Sequence, residues 1–120
     1  MIPATYQRPD SIAYALQAPA GSAGSNDTRP IAGGTNLLDL MKLQLVTPAA
    51  LVDVNRLPLD RIEARDDGGL RLGATARNAD TAWHPLVERD YPLLSAAMLA
   101  AASPQIRNMA SNGGNLLQRT

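Results

Sequence analysis

The tightest constraint in this chain is a pair of adjacent glycines, Gly33 and Gly34. They sit between an apolar stretch, Pro30-Ile31-Ala32, and a leucine-rich stretch that opens Thr35-Asn36-Leu37-Leu38. The pattern predicts a short strand at Ile31-Ala32, a turn, and then a helix from Asn36 to about Gln44, with Thr35 or Asn36 as its cap. Without Cβ atoms, the two glycines let the backbone take positive φ and let an anion approach its N–H groups. The start of a helix adds unpaired N–H donors and a partial positive charge, which suits a phosphate. A plain turn is the commoner use of such a pair. The spacing matches neither the Gly-x-x-x-x-Gly-Lys phosphate loop nor the Gly-x-Gly-x-x-Gly dinucleotide fingerprint.

A second pair lies near the other end, in Ser111-Asn112-Gly113-Gly114-Asn115, and is read as a second turn. If both bends face one cleft, their N–H groups can hold two phosphates without a lysine. Such a site suits a neutral protein, and this chain carries 11 basic and 11 acidic residues. The same balance argues against nucleic acid as a partner, because phosphate-backbone binding needs a basic surface. No run of like charge suggests a membrane-surface patch, and no apolar stretch is long enough to span a bilayer. Met1 to Asp10 lacks the charged start and apolar run of a secretory signal. Cysteine is absent, which excludes a disulfide, a thiol nucleophile or a thiolate metal site in these residues. His84 is the single histidine and reads as a solvated or capping residue. No catalytic residue and no metal ligand is assigned.

At 120 residues the length suits about one small domain with a modest core. Phe is absent, so the core must come from Leu, Ala, Ile, Val and Met. Tyr6 to Pro9 reads as extended, and Asp10 or Ser11 caps a short helix to about Gln17 with Ile12, Ala15 and Leu16 on one face. Residues 18–29 read as a mobile surface loop. Leu37, Leu38, Leu40, Met41 and Leu45 are expected in the core, Pro48 closes the unit, and Ala50 to Val54 is a strand. A new unit starts near Leu57. Arg61–Arg65 and Leu70–Leu72 alternate about Asp66-Asp67-Gly68-Gly69, a hairpin signal. Asn78 is expected to cap a helix that holds Trp83 as a packing anchor and is broken at His84-Pro85. Pro92 opens a helix to about Ala102, stopped by Ser103-Pro104, that is apolar almost all round, and so expected to be buried on most sides. Asp53 and Arg107 read as members of a structural ion pair or as caps.

Several of these stretches, in this order, resemble one family. Ala32-Gly33-Gly34-Thr35-Asn36-Leu37-Leu38, Leu51-Val52-Asp53-Val54-Asn55-Arg56, Leu70-Arg71-Leu72-Gly73-Ala74, Gln105-Ile106-Arg107-Asn108 and Gly113-Gly114-Asn115-Leu116 are similar to the FAD-binding subunit of molybdenum hydroxylases. These are the xanthine dehydrogenase, aldehyde oxidoreductase and carbon monoxide dehydrogenase enzymes. The match runs from about Tyr6 to the end, and Asn115-Leu116-Leu117-Gln118-Arg119-Thr120 looks nearest the aldehyde oxidoreductase branch.

The resemblance implies an α+β fold of the FAD-binding PCMH type, like that of vanillyl-alcohol oxidase, built as two α/β subdomains. These are expected over 1–56 and 57–120, the second truncated. It implies that Ile31, Ala32, Gly33, Gly34, Thr35, Asn36 and Leu37 wrap the FAD diphosphate. Ser111, Gly113, Gly114 and Asn115 would close over it, and Ala101 would approach the flavin. Asn112 stands where the family usually has an apolar or small residue, a change expected to be tolerated because backbone N–H groups do the binding. The subunit would pass electrons from a partner's iron–sulfur clusters through FAD to an acceptor, in a heterotrimer with a molybdenum-cofactor subunit and a 2Fe–2S subunit. A 4Fe–4S cluster would belong only to a missing C-terminal part. The location would be cytoplasmic, or periplasmic by co-export with a partner. Two other readings compete: a truncated docking module that holds no flavin, and another member of the same FAD superfamily, such as an oxidase or the cell-wall reductase. Ile106-Arg107-Asn108 with Gly113-Gly114-Asn115 speaks against the latter.

Overall fold

A computed structural model describes residues 1–17 and 27–120. Most of the loop expected over 18–29, namely residues 18–26, lies outside the described residues. The chain divides into two compact units, Met1–Leu57 with Arg119–Thr120, and Pro58–Gln118.

The first unit is a three-stranded parallel sheet with two short helices. Its strands are β1 (Thr5–Gln7), β2 (Thr28–Ile31) and β3 (Ala50–Asp53), in the order β1-β3-β2. Tyr6 pairs with Leu51, and Ile31 pairs with Asp53. The central strand is the buried one: Leu51, Val52 and Asp53 are all inaccessible, as expected for a parallel strand covered on both faces. Helix α1 (Ile12–Gln17) is capped as expected by Ser11, whose Oγ accepts from Tyr14 N at 3.1 Å. Its apolar face is not covered, however, and Ile12 and Leu16 are exposed. Helix α2 (Leu37–Lys42) begins one residue later than the pattern suggests and ends earlier. Met41 is buried and Leu37, Leu38 and Leu40 are half-buried, whereas Leu45 points to solvent beyond the helix.

The second unit opens with the hairpin read from the sequence, β4 (Ile62–Ala64) and β5 (Leu70–Leu72), antiparallel with Glu63 opposite Arg71. Five helices follow: α3 (Asn78–Ala82), α4 (Pro85–Asp90), α5 (Pro92–Ala100), α6 (Pro104–Met109) and α7 (Asn112–Leu116). Helices α4, α6 and α7 depart from the sequence reading, the last replacing the turn expected at Gly113-Gly114. His84-Pro85 and Ser103-Pro104 read as breakers, yet each proline occupies the first helical position, where its fixed φ helps and its missing N–H costs nothing. The residue before each supplies the cap: His84 Nδ1 accepts from Leu86 N at 3.2 Å, and Ser103 Oγ from Ile106 N at 3.3 Å. The capping role foreseen for His84 is therefore observed.

Three further expectations are corrected. Asn78 is not a cap but the first residue of α3, after Arg77. Trp83 is 62% exposed and anchors no core. Helix α5 is the reverse of a buried apolar rod. Leu93 is 81% exposed, and the one buried residue is polar Ser95, whose Oγ donates to the Ala82 carbonyl at 2.6 Å. An apolar run without a polar side gives no direction in which to pack, so the hydroxyl decides which face turns inward. No helix among the described residues is long and apolar enough to cross a membrane.

Candidate functional site

The first glycine pair follows β2 directly and leads into α2. Gly34 adopts φ +74°, in the region that side chains avoid. A Cβ there would lie 2.9 Å from Leu38 Cδ1 and 3.5 Å from Ile31 Cδ1. The positive φ is what requires glycine at 34; a Cβ would also push the Leu38 side chain aside. Neither Thr35 nor Asn36 caps the helix. Asn36 holds the cap position with helical dihedrals and makes no capping bond. Its side-chain amide instead grips the backbone of Arg119 from both sides: Nδ2 donates to Arg119 O at 3.1 Å, and Oδ1 accepts from Arg119 N at 3.1 Å.

Without a cap, the donors of this turn stay uncommitted. The N–H groups of Gly33, Gly34, Thr35, Asn36 and Leu37 find no acceptor among the described residues. The first internal bond is Leu38 N to Gly34 O, at 3.0 Å. Five successive donors with nothing to bind are costly unless water or a ligand takes them. Helix α2 has only six residues, so its dipole adds little and the individual N–H groups carry the attraction.

A polar cluster braces this turn from below. Asp53, 3% exposed, ends β3. Its Oδ1 accepts from Asn55 N at 2.9 Å and from Asn55 Nδ2 at 2.6 Å. Its Oδ2 accepts from Arg8 Nε at 2.9 Å and from the Tyr6 hydroxyl. Burial opposes the charged carboxylate, but the hydrogen bonds from Tyr6, Asn55 and Arg8 outweigh it and hold Asp53 at a pKa of about 2. The same bond to Asp53 raises the Tyr6 hydroxyl, with burial and the carboxylate's charge acting in the same direction. Asn55 Nδ2 also donates to Ala32 O at 2.9 Å, which ties the cluster to the residue before Gly33. The ion pair expected for Asp53 is present, whereas Tyr6, Arg8 and Asn55 were missed. Their partners lie 45 and 47 residues away for Arg8 and Tyr6, and no local spacing announces such contacts.

The second glycine pair is not a turn. Gly113 and Gly114 lie within α7, capped by Ser111, whose Oγ accepts from Gly114 N at 3.2 Å. Asn112 N donates to Ala76 O at 2.9 Å, Gly113 N to Ala74 O at 2.8 Å, and Asn115 N to Ser111 O at 2.9 Å. The backbone donors of this segment are committed inside the second unit. A Cβ on Gly113 would fall 3.1 Å from Ala74 O and 3.2 Å from Ala74 Cβ, so glycine here serves close packing. Asn112 is more than tolerated: its Nδ2 donates to Gly73 O at 3.2 Å and to buried Thr81 Oγ1 at 2.8 Å. Ser111 is buried, while Gly114 and Asn115 are exposed.

Ala101 follows α5 as its C-cap and is exposed. Ala102, which follows, takes φ +53°, unusual for a residue with a side chain. Arg107 Nη1 holds this corner by donating to Ala101 O at 2.9 Å and Ala102 O at 3.0 Å, which is the capping role expected of Arg107. Two open depressions, of about 380 and 470 Å³, lie on the β4–β5 hairpin and are lined by Glu63, Arg71 and their neighbours. They hold none of the residues expected at the site, and the uncommitted N–H row marks the better candidate.

Residues 2–120 match the family described as the FAD binding domain in molybdopterin dehydrogenase, and the chain belongs to that family. It is 55% identical over 116 residues to the aldehyde oxidoreductase FAD-binding subunit PaoB of Escherichia coli K12, covering 97% of this chain and 36% of that one. Against the carbon monoxide dehydrogenase medium chain of Hydrogenophaga pseudoflava it is 36% identical over 111 residues, covering 92% and 38% of the two. The structure of quinoline 2-oxidoreductase from Pseudomonas putida 86 superposes with a TM-score of 0.86 at 31% identity, covering 96% of this chain and 39% of that one. The α+β FAD-binding fold and the likeness to the aldehyde oxidoreductase branch are both borne out, and FAD is the cofactor of the family. The chain spans 36% to 39% of the length of these relatives.

Proposed function

We propose that this chain is the FAD-holding part of an electron-transfer subunit in a molybdenum-containing aldehyde- or xanthine-type dehydrogenase. In this reading it works beside a molybdenum-cofactor subunit and a 2Fe–2S subunit and relays their electrons to an acceptor. The observation that carries the reading is the row of five uncommitted N–H groups, from Gly33 to Leu37, on a turn braced by buried Asp53. Such a row suits the oxygens of a diphosphate. Thr35 contributes a hydroxyl, Gly34 the open approach, and Ile31 and Ala32 the supporting backbone. Ser111, Gly113, Gly114, Asn115 and Ala101 carry no part of this reading, because the backbone donors from Asn112 to Asn115 are already engaged within their own unit. FAD, when bound, supplies the one- and two-electron redox chemistry, while the protein supplies position and electrostatics.

The test is titration of the purified protein with FAD, FMN and riboflavin, followed by flavin fluorescence. FAD binding at least tenfold tighter than riboflavin supports a diphosphate site; equal binding of the two overturns it. A colourless protein that binds no flavin but still associates with the partner subunits favours the docking reading. The exposed apolar residues Leu93, Leu116 and Leu117 give that alternative its footing.

A further inference from the structure

The turn that carries the uncommitted donors has little of its own to hold it. It has no side-chain cap, and α2 is too short to fix its entrance. Its preceding carbonyl, Ala32 O, is instead caught by Asn55 Nδ2 at 2.9 Å. Asn55 is in turn fixed by two bonds to one oxygen of Asp53, and the other oxygen is held by Tyr6 and Arg8 from β1 and its end. A carboxylate that accepts this many bonds is rotationally locked, and so is the amide it grips. Val54 N adds a backbone bond to Ile31 O at 3.0 Å. The chain of contacts runs from β1 through Asp53 and Asn55 to the residue before Gly33.

We infer that Asn55 is a positioning residue for the cofactor. Through its bond to Ala32 O it sets the direction of the N–H groups from Gly33 to Leu37, and Asp53 holds Asn55 in place. Asn55 touches no phosphate in this account; it orders the turn before the ligand arrives, which lowers the cost of binding. The inference rests on the reading of the turn as the diphosphate site.

The experiment compares Asn55→Ala with Ser95→Ala, which removes a buried hydrogen bond in the other unit. Three quantities are measured on each protein: melting temperature, the dissociation constant for FAD, and ¹⁵N relaxation of Gly33 and Gly34 without ligand. Asn55→Ala is expected to weaken FAD binding about tenfold and to increase fast motion at both glycines. Ser95→Ala lowers the melting temperature and leaves both other quantities within twofold. An FAD constant within twofold of the parent in Asn55→Ala overturns the proposal, and so does equal weakening in Ser95→Ala. If the parent itself binds no FAD, the diphosphate reading fails first. The relaxation data then decide alone, and unchanged motion in Asn55→Ala overturns the positioning role.

Discussion

Gly33-Gly34 and Gly113-Gly114 share a sequence but not a hydrogen-bonding state. At the first pair the backbone leaves a strand, turns through φ +74° at Gly34 and reaches a helix with its donors unpaired among the described residues. At the second, the donors are spent on Ala74, Ala76 and Ser111, and the missing Cβ lets α7 lie against Ala74. One pair leaves its donors without partners among the described residues, the other spends them on its own unit. A doublet of glycines therefore does not announce a binding loop. What distinguishes the two is whether each N–H has an acceptor, and that depends in part on residues far along the chain, Ala74 and Ala76, as well as on the local cap Ser111.

The largest expected effect is that of Asp53→Ala. It leaves the Arg8 guanidinium, the Tyr6 hydroxyl and the Asn55 amide without their common acceptor, and because Arg8 stays solvated the cost is that of the lost hydrogen bonds to a charged group, about 2–3 kcal/mol. Urea unfolding checks this, and a loss below about 1 kcal/mol would mean that the brace under the first turn is dispensable. The same carboxylate gives a pH signature. Its folded pKa of about 2 lies below the usual carboxylate value, so its stabilisation is complete above about pH 5 and is lost as pH falls through the folded pKa, amounting to about 2 kcal/mol. Asp53→Asn removes that part of the acid dependence, which urea melts at pH 2 to 6 would reveal.

Alanine at the two glycines separates the regions directly. Gly34→Ala must adopt a left-handed conformation and displace Leu38, at about 1–2 kcal/mol, and FAD affinity is expected to fall at least tenfold as the turn shifts. Gly113→Ala meets the Ala74 backbone and costs a similar 1–2 kcal/mol of stability, but changes FAD affinity by less than threefold. Parallel denaturation and flavin titration read both, and an affinity loss at Gly113 equal to that at Gly34 would dissolve the contrast. Smallest is Ser111→Ala, which removes the cap of α7 and costs about 1 kcal/mol with flavin affinity unchanged.

Much of this was legible in the residues. The hairpin about Asp66-Asp67-Gly68-Gly69, the strand Ala50–Asp53, the cap at Ser11 and the turn at Gly33-Gly34 all follow from local chemistry. What escaped was of two kinds. The prolines at 85 and 104 were read as stops, although the capping residues before them mark starts. The other omissions were long-range. Nothing near Asn55 says that its amide reaches Ala32, and nothing in the Leu93-to-Leu99 run says that Ser95 alone will be covered. Asn36 looked like a cap because its type suits one, but the competing backbone of Arg119 took both ends of its side chain.

The parallel pairing of β1, β3 and β2 sends all three chain directions the same way. Arg8, Asp53, Asn55 and the Ala32 carbonyl therefore gather at one end of the sheet, each at or just past the end of its own strand, and the Tyr6 hydroxyl reaches them from within β1. Side chains alternate along a strand, so deleting a single residue within β1 would turn Tyr6 away from its carboxylate without touching a glycine. The geometry of the glycine turn is thus as sensitive to a deletion in β1, far upstream, as to a change in the turn itself.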